Sequence, residues 1–258
     1  MNKKYFFNFF QNEDEFLIAS LWEDFELCLN IDFPVYTTVF LPPQISKGLE
    51  TIFNNYKIKV SSKGLTPFSE KKVVAFYPNS FQENDLEFPI KFFKVIGSNK
   101  FKTLEHKDFL GGIMSLGIKR ELLGDIIVDN NIGYSVTFDN ILNILENNLK
   151  QINTIPVTIE SEEENNIPLP KFKEFTFPVV SLRLDSIISS LTGVSRSDST
   201  VLIERGDVSI NYNIEKNKSE SVLENSIITI KKNGKFVIER VLGETKKGKL
   251  KILVKQYI

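Results

Sequence analysis

The order of elements between Pro89 and Glu160 constrains this chain more than any other feature. "PIKFFKVIG" (Pro89 to Gly97) is a short run of aromatic and β-branched residues and predicts a strand. "EHKDFLGGIMSLG" sets Phe109, Ile113 and Leu116 on one side at helical spacing. "GDIIVD" (Gly124 to Asp129) and "IGYSVTF" (Ile132 to Phe138) predict two strands joined at Asn130-Asn131, a hairpin signal. "DNILNILENNLKQI" predicts a helix that Asp139 can cap, with Ile141, Leu142, Leu145 and Leu149 on its buried face. "TIPVTIE" closes with a strand.

The order is therefore β-α-β-β-α-β. A chain in this order predicts the ferredoxin-like split βαβ fold, which RNA-recognition domains also use. Before it, residues 1–70 predict an α+β segment. Glu13 to Leu29 is a helix whose mostly apolar face reads Phe16, Leu17, Ser20, Leu21, Asp24, Phe25 and Cys28. Gln44 to Tyr56 is a second helix, and Lys57 to Ser61 alternates like a strand. "KKVVAFYP" is a lead-in strand to the middle domain, 71–160. "ESEEENNIPLP" is acidic, then proline-rich, and marks a linker at 161–180. Its carboxylates Glu162 to Glu164 are expected to be solvated. The fold class expected for the whole chain is α+β in several modules, the last at 181–258.

Charge separates the ends of the chain. The net charge is −1, but from Ser181 onward 14 Lys+Arg stand against 9 Asp+Glu, a local net of +5. Such a split points to nucleic acid at the basic end. One cysteine, Cys28, excludes an internal disulfide framework and fits a reducing cytosol; on a helix it reads as a small buried hydrophobe. The opening apolar run is short and broken by Asn8 and then Gln11 to Glu15, so no export signal is expected. No run approaches the ~18 apolar residues of a spanning helix. A cytoplasmic monomer is expected.

The third segment opens on a strand near Phe172. "LRLDSIISSLTG" then predicts a helix stopped by Gly193, and Ser197 to Arg205 a short second one with Gly206 beyond it. "DVSIN", "SIITIKK", "KFVIERVL" and "KLKILVKQY" are strands, with turns at Asn233-Gly234 and Lys246 to Lys249. Arg183-Leu184-Asp185, Ser195-Arg196-Ser197, Ile203, Gly206, Val208 and Asn211 together resemble the S4 RNA-binding domain. "HKDFLGGIMSLGIKRELLGDI", His106 to Ile126, resembles the signature of bacterial YlmH-type proteins, also called RqcP. The likeness extends over the whole chain and is weakest over residues 1–70. The chain departs from the S4 pattern in two turns, with Asn211-Tyr212 in place of Asn-Gly and Asn225-Ser226 in place of Gly-Asp.

This resemblance implies binding to structured rRNA and tRNA on the large ribosomal subunit. It implies a part in ribosome quality control, where stalled chains receive alanine tails, with a tailing factor as a further partner. Arginine suits such a role because its planar fork donates two parallel hydrogen bonds to phosphate oxygens. Arg183 and Arg196 are the leading RNA contacts, with Arg205 weaker. Ser195 or Ser197 is the candidate cap of the second helix, where free N–H groups could also meet phosphate. Asp185 is read as orienting an arginine or capping the first helix. Lys231, Lys232 and Lys235 extend the surface on hairpin turns, and Lys246, Lys247 and Lys249 follow in the next turn; solvated lysines guarding strand edges are the plain alternative. His106, Lys107, Lys119 and Arg120 form a second candidate contact with RNA or ribosome.

No catalytic, cofactor or metal site is expected. His106 is the single histidine and has no nucleophile pattern or co-ligands beside it; at a helix start it reads as a cap or an RNA contact. "GGIMSLGIKR" fails as a phosphate loop because Ile118, Lys119 and Arg120 follow Gly117; its glycines suit close helix packing and a helix stop. Tyr134 and Phe138 share a face where RNA-recognition domains stack bases, and core packing is the preferred reading. Two alternatives stay open. One is an rRNA-modifying enzyme, or its accessory factor, targeted by the S4 domain. The other is an interaction protein linked to cell division.

Overall fold

The computed structural model describes residues 1–98 and 103–257. The chain divides into two compact units, Met1–Leu169 and Pro170–Ile258. It is a mixed α/β chain, with seven α-helices and three antiparallel sheets among the described residues.

The first unit begins with α1 (Lys3–Phe9) and α2 (Glu15–Ile31). The Asp14 carboxylate accepts from the Leu17 N–H at 2.8 Å and starts α2. Its buried residues are Ile18, Leu21, Trp22, Phe25 and Cys28, so the expected face is corrected: Phe16 and Ser20 point outward. Trp22 and its flank, not Phe16, meet the aromatic cluster of Phe6, Phe25, Phe53 and Phe76. Cys28 lies inside it. Burial first, then nearby Asp32, pushes its thiol up to about 11, as befits an inert core cysteine.

β1 (Val35–Tyr36), α3 (Pro43–Phe53), β2 (Ile58–Lys63) and β3 (Val73–Pro78) follow, in the sheet order β1-β3-β2. β3 is buried at every residue, which its unbroken apolar run requires. It pairs with β2 from Ile58↔Pro78 to Lys63↔Val73, so hydrogen bonding crosses position 70.

Next come β4 (Lys91–Gly97), α4 (His106–Met114), β5 (Leu123–Asp129), β6 (Ile132–Thr137), α5 (Asp139–Asn148), β7 (Gln151–Ile152) and β8 (Ile155–Ser161). Their sheet runs β5-β6-β4-β8-β7 and every pairing is antiparallel. Asn130 and Asn131 both take left-handed φ, 48° and 65°, as a tight hairpin turn demands. α5 is shorter than its sequence suggests. It stops at Asn148, and Asn153 (φ 54°) turns Gln151-Ile152 back onto β8 as a small hairpin. Phe138, not Asp139, holds the N-cap position of α5, and it makes no side-chain cap bond.

One face of this sheet packs under α4 and α5 through Phe93, Val95, Phe109, Ile113, Leu142 and Leu145. A Cβ on Gly133 would lie 2.7 Å from the Phe109 ring, so the helix approaches the strand as closely as glycine permits. Phe40, Leu65, Val73, Ile90, Val136 and Ile167 form a separate core, with Tyr134, Phe92 and Phe138 packed against it. Tyr134 therefore serves packing. Glu162 is a correction. Its side chain is only 11% exposed. It accepts from Lys94 at 2.9 Å, from the Asn166 amide at 2.9 Å and from the Glu163 N–H at 3.0 Å. Those bonds hold its pKa down to about 2. Acidic composition suggested solvation; β8 running beside β4 instead brings Glu162 to Lys94.

The second unit holds β9 (Phe172–Val179), α6 (Leu184–Thr192), α7 (Arg196–Glu204), β10 (Val208–Ile210), β11 (Asn213–Ile214), β12 (Ser226–Ile230), β13 (Gly234–Glu244) and β14 (Leu250–Tyr257). Its sheet order is β11-β10-β12-β13-β14-β9. β9 pairs along β14 from Phe172↔Tyr257 to Val179↔Leu250, so part of the expected linker, 161–180, is an edge strand of this sheet. Leu184, Ile187, Ile188 and Ile203 of the helix pair share a core with Val208, Ile228, Ile238, Ile252 and Val254 of the sheet. That core fixes where α6 and α7 begin, and so where their arginines stand.

Candidate nucleic-acid interface

Asp185 organises the start of the helix pair. Its carboxylate is buried, with the side chain 8% exposed. Arg183 donates to it from Nε at 3.2 Å and from Nη2 at 3.1 Å. Arg196 donates from Nη2 to both oxygens, at 3.0 and 2.9 Å. Burial alone would raise the Asp185 pKa, but the hydrogen bonds from Arg183 and Arg196 outweigh it and hold the carboxyl below its usual range. The sequence paired Arg183 with Arg196 as one surface; the structure brings them to a single carboxylate. Their side chains stay 41% and 53% exposed. Among the described residues, Arg183 Nη1 and Arg196 Nε and Nη1 have no partner, so donor edges face outward.

Backbone carbonyls close the start of α6, and a serine caps one amide of α7. At α6 the Leu184 N–H donates to Glu220 O at 2.9 Å and the Asp185 N–H to Lys218 O at 3.2 Å. At α7 the cap is Ser195, whose Oγ accepts from the Asp198 N–H at 3.1 Å. That hydroxyl also donates to the Asp198 carboxylate and shares a 2.7 Å bond with the Ser197 hydroxyl. The Asp198 carboxylate adds negative charge to the first turn of α7. Ser195 and Ser197 thus join a hydrogen-bonded cap at the start of α7, beside the outward guanidinium edges.

Arg205 is placed apart from this pair. It closes α7 beside Gly206 (φ 79°) and is ion-paired to Asp207, which lies 4.0 Å from Lys231 Nζ. Asp207 is a residue the sequence reasoning missed; "RGD" alone gave no sign that it would collect cations from two elements. Lys231 and Lys232 are exposed on the β12–β13 turn, where Lys232 takes φ 68°. Lys235 stands over the rings of Tyr257 (5.0 Å) and Tyr212 (5.7 Å). Tyr212 keeps a left-handed φ of 73° beside Asn211 (47°), so the turn where the S4 pattern has glycine retains glycine-type backbone.

In the first unit His106 is the first residue of α4 and is exposed, but it does not cap the helix. Glu105 caps it, in a reciprocal pair with Asp108. Surrounding atoms, then the charge of Arg120, push the His106 pKa below its usual value. Lys107 pairs with Glu105 at 2.9 Å, and Lys119 is exposed. Arg120 is partly buried and donates to Leu123 O at 2.5 Å and Gly124 O at 3.0 Å, bracing the start of β5. Asp125 was also missed. It accepts from the Glu70 and Lys71 N–H groups at 2.6 and 3.3 Å, and burial raises its pKa. Among the described residues no group of three or more His, Cys, Asp or Glu could hold a metal ion. Among the described residues no helix is long and apolar enough to cross a membrane.

Fold and surface define a class: a mixed α/β chain with a guanidinium pair braced on a buried carboxylate, a contact suited to anionic groups. Residues 83–166 match the family described as "Putative RNA-binding domain in YlmH". The chain is 25% identical over 217 residues to "Ribosome-associated protein quality control protein P2" of Bacillus subtilis (strain 168), covering 83% of this chain and 84% of that protein. A solved structure, "Cell division protein ylmH from Streptococcus pneumoniae", is 28% identical over 58% of this chain and 92% of that one, with a TM-score of 0.49. The family match and the Bacillus subtilis relative are similarities of the kind that residues 106–126 carry.

Proposed function

We propose that this chain is a non-enzymatic RNA-binding protein that acts in ribosome quality control. It binds structured rRNA and tRNA on the large ribosomal subunit and supports alanine tailing of stalled chains. The observation that carries this reading is the pair Arg183 and Arg196, half-exposed and fixed on Asp185. A pre-oriented pair gives up little side-chain entropy on meeting a phosphate backbone. Support also comes from the name of the Bacillus subtilis relative and from the family description of residues 83–166.

On this reading residues 181–258 are the S4-type contact, with Arg205, Lys231, Lys232 and Lys235 extending it. The middle domain, 71–160, is ferredoxin-like: its β-α-β-β-α-β order and its central β6-β4 pair support that assignment. Because Tyr134 is packed into a core, that domain meets RNA or ribosome through His106, Lys107 and Lys119, while Arg120 holds β5. The protein works as a cytoplasmic monomer, with a tailing factor as partner. Crosslinking in cells followed by RNA sequencing tests the reading. Reads concentrated in large-subunit rRNA and tRNA are expected; reads spread over messenger RNA in proportion to abundance would overturn it.

A further inference from the structure

We propose that the outward side of α2 is a docking surface for a basic protein segment that carries apolar side chains. Phe16 is 87% exposed, Leu27 48% and Ile31 51%. At about 100° per residue these three lie within about 60° of one another on the side opposite the buried Ile18, Leu21 and Phe25. Isolated surface hydrophobes need no explanation, but three aligned on the face of α2 turned from its core mark an interaction surface; Leu29, 44% exposed, lies outside that stripe.

Charge names the occupant. From Tyr5 to Ser46 the chain has no lysine, arginine or histidine, yet it holds Glu13, Asp14, Glu15, Glu23, Asp24, Glu26 and Asp32. Glu23 borders the apolar stripe beside Phe16, Asp24 borders its other edge, and Glu26 lies farther round on the Glu23 side. Among the described residues none of these carboxylates forms an ion pair. Burial and then Glu23 push the Asp24 pKa up to about 6, so the acids burden each other with no cation to relieve them. RNA and anionic lipid are repelled by such a face. A second copy would set seven carboxylates against seven. A lysine- or arginine-rich helix with leucines on one side fits both the charge and the stripe.

The test is fluorescence anisotropy of the full chain with two synthetic peptides. One is a lysine-rich helical peptide with a leucine stripe; the other has serine in place of each leucine. The parent should bind the leucine peptide about tenfold or more tighter, given the apolar area two side chains can bury. Phe16→Ser with Leu27→Ser should erase that preference, and Glu23→Lys with Glu26→Lys should weaken both peptides about tenfold. Both variants change exposed positions, and circular dichroism should match the parent. Their binding to rRNA should be unchanged, which separates this proposal from the RNA reading. Equal binding of the two peptides by the parent would overturn it. So would an apolar preference that survives loss of Phe16 and Leu27, or self-association of the parent that the serine variant abolishes.

Discussion

Removing the Asp185 charge would leave Arg183 and Arg196 close together with nothing to hold them. Asp185→Asn should destabilise the second unit by about 1–2 kcal/mol, between an exposed ion pair and a fully buried one, because both arginines are half in water. The sign with pH follows from the depressed carboxyl. A group whose folded pKa lies below its unfolded value of about 3.9 contributes stability above that value and loses it as pH falls through the folded pKa. The gap between parent and variant in urea melts should therefore be constant from about pH 6 to 8 and narrow below about pH 4. A gap that widens in acid would mean that Asp185 is not the ionised partner of the two arginines. Lys235 adds a different contact, its ammonium standing over the rings of Tyr257 and Tyr212.

At the level of elements, the approach of α4 to β6 depends on Gly133. Gly133→Ala should cost about 1–3 kcal/mol, since the added Cβ would strike the Phe109 ring inside a closed core. Thermal melts of the first unit's transition check it, and an unchanged midpoint would show that the ring can move aside. Much of this element order was legible beforehand. Period-two runs, the Asn130-Asn131 turn and the helical stripe Phe109–Ile113 set β4 to α5 in sequence. What stayed hidden depended on long-range pairing. The strand near Phe172 could be read, but not its place as an edge strand beside β14, which puts it in the second unit's sheet and not in a linker. The buried face of α2 was misjudged because Phe16 is apolar, yet nothing of the first unit covers it. In the candidate site, arginines and serines could be read from their spacing, but Asp207 and Asp125 could not. Each gathers partners that are distant in sequence, Lys231 for one and the Glu70 and Lys71 amides for the other.

For the whole molecule, the sequence separates charge by sign: a basic second unit with outward guanidinium edges, and an acidic N-terminal stretch without a cation from Tyr5 to Ser46. Phosphate contacts make affinity fall steeply with salt, because each neutralised phosphate releases a condensed counterion. Binding that rests on Arg183 and Arg196 must therefore be strong at low salt and vanish when their charge is reversed. The direct measurement is co-sedimentation of purified protein with free large ribosomal subunits at low salt, comparing the parent with Arg183→Glu plus Arg196→Glu. Circular dichroism and melting temperature establish that the variant is folded. Co-sedimentation of the parent and its loss in the folded variant is the expected result. A folded variant that still sediments with the subunits as the parent does would contradict the assignment of this arginine pair as the RNA contact.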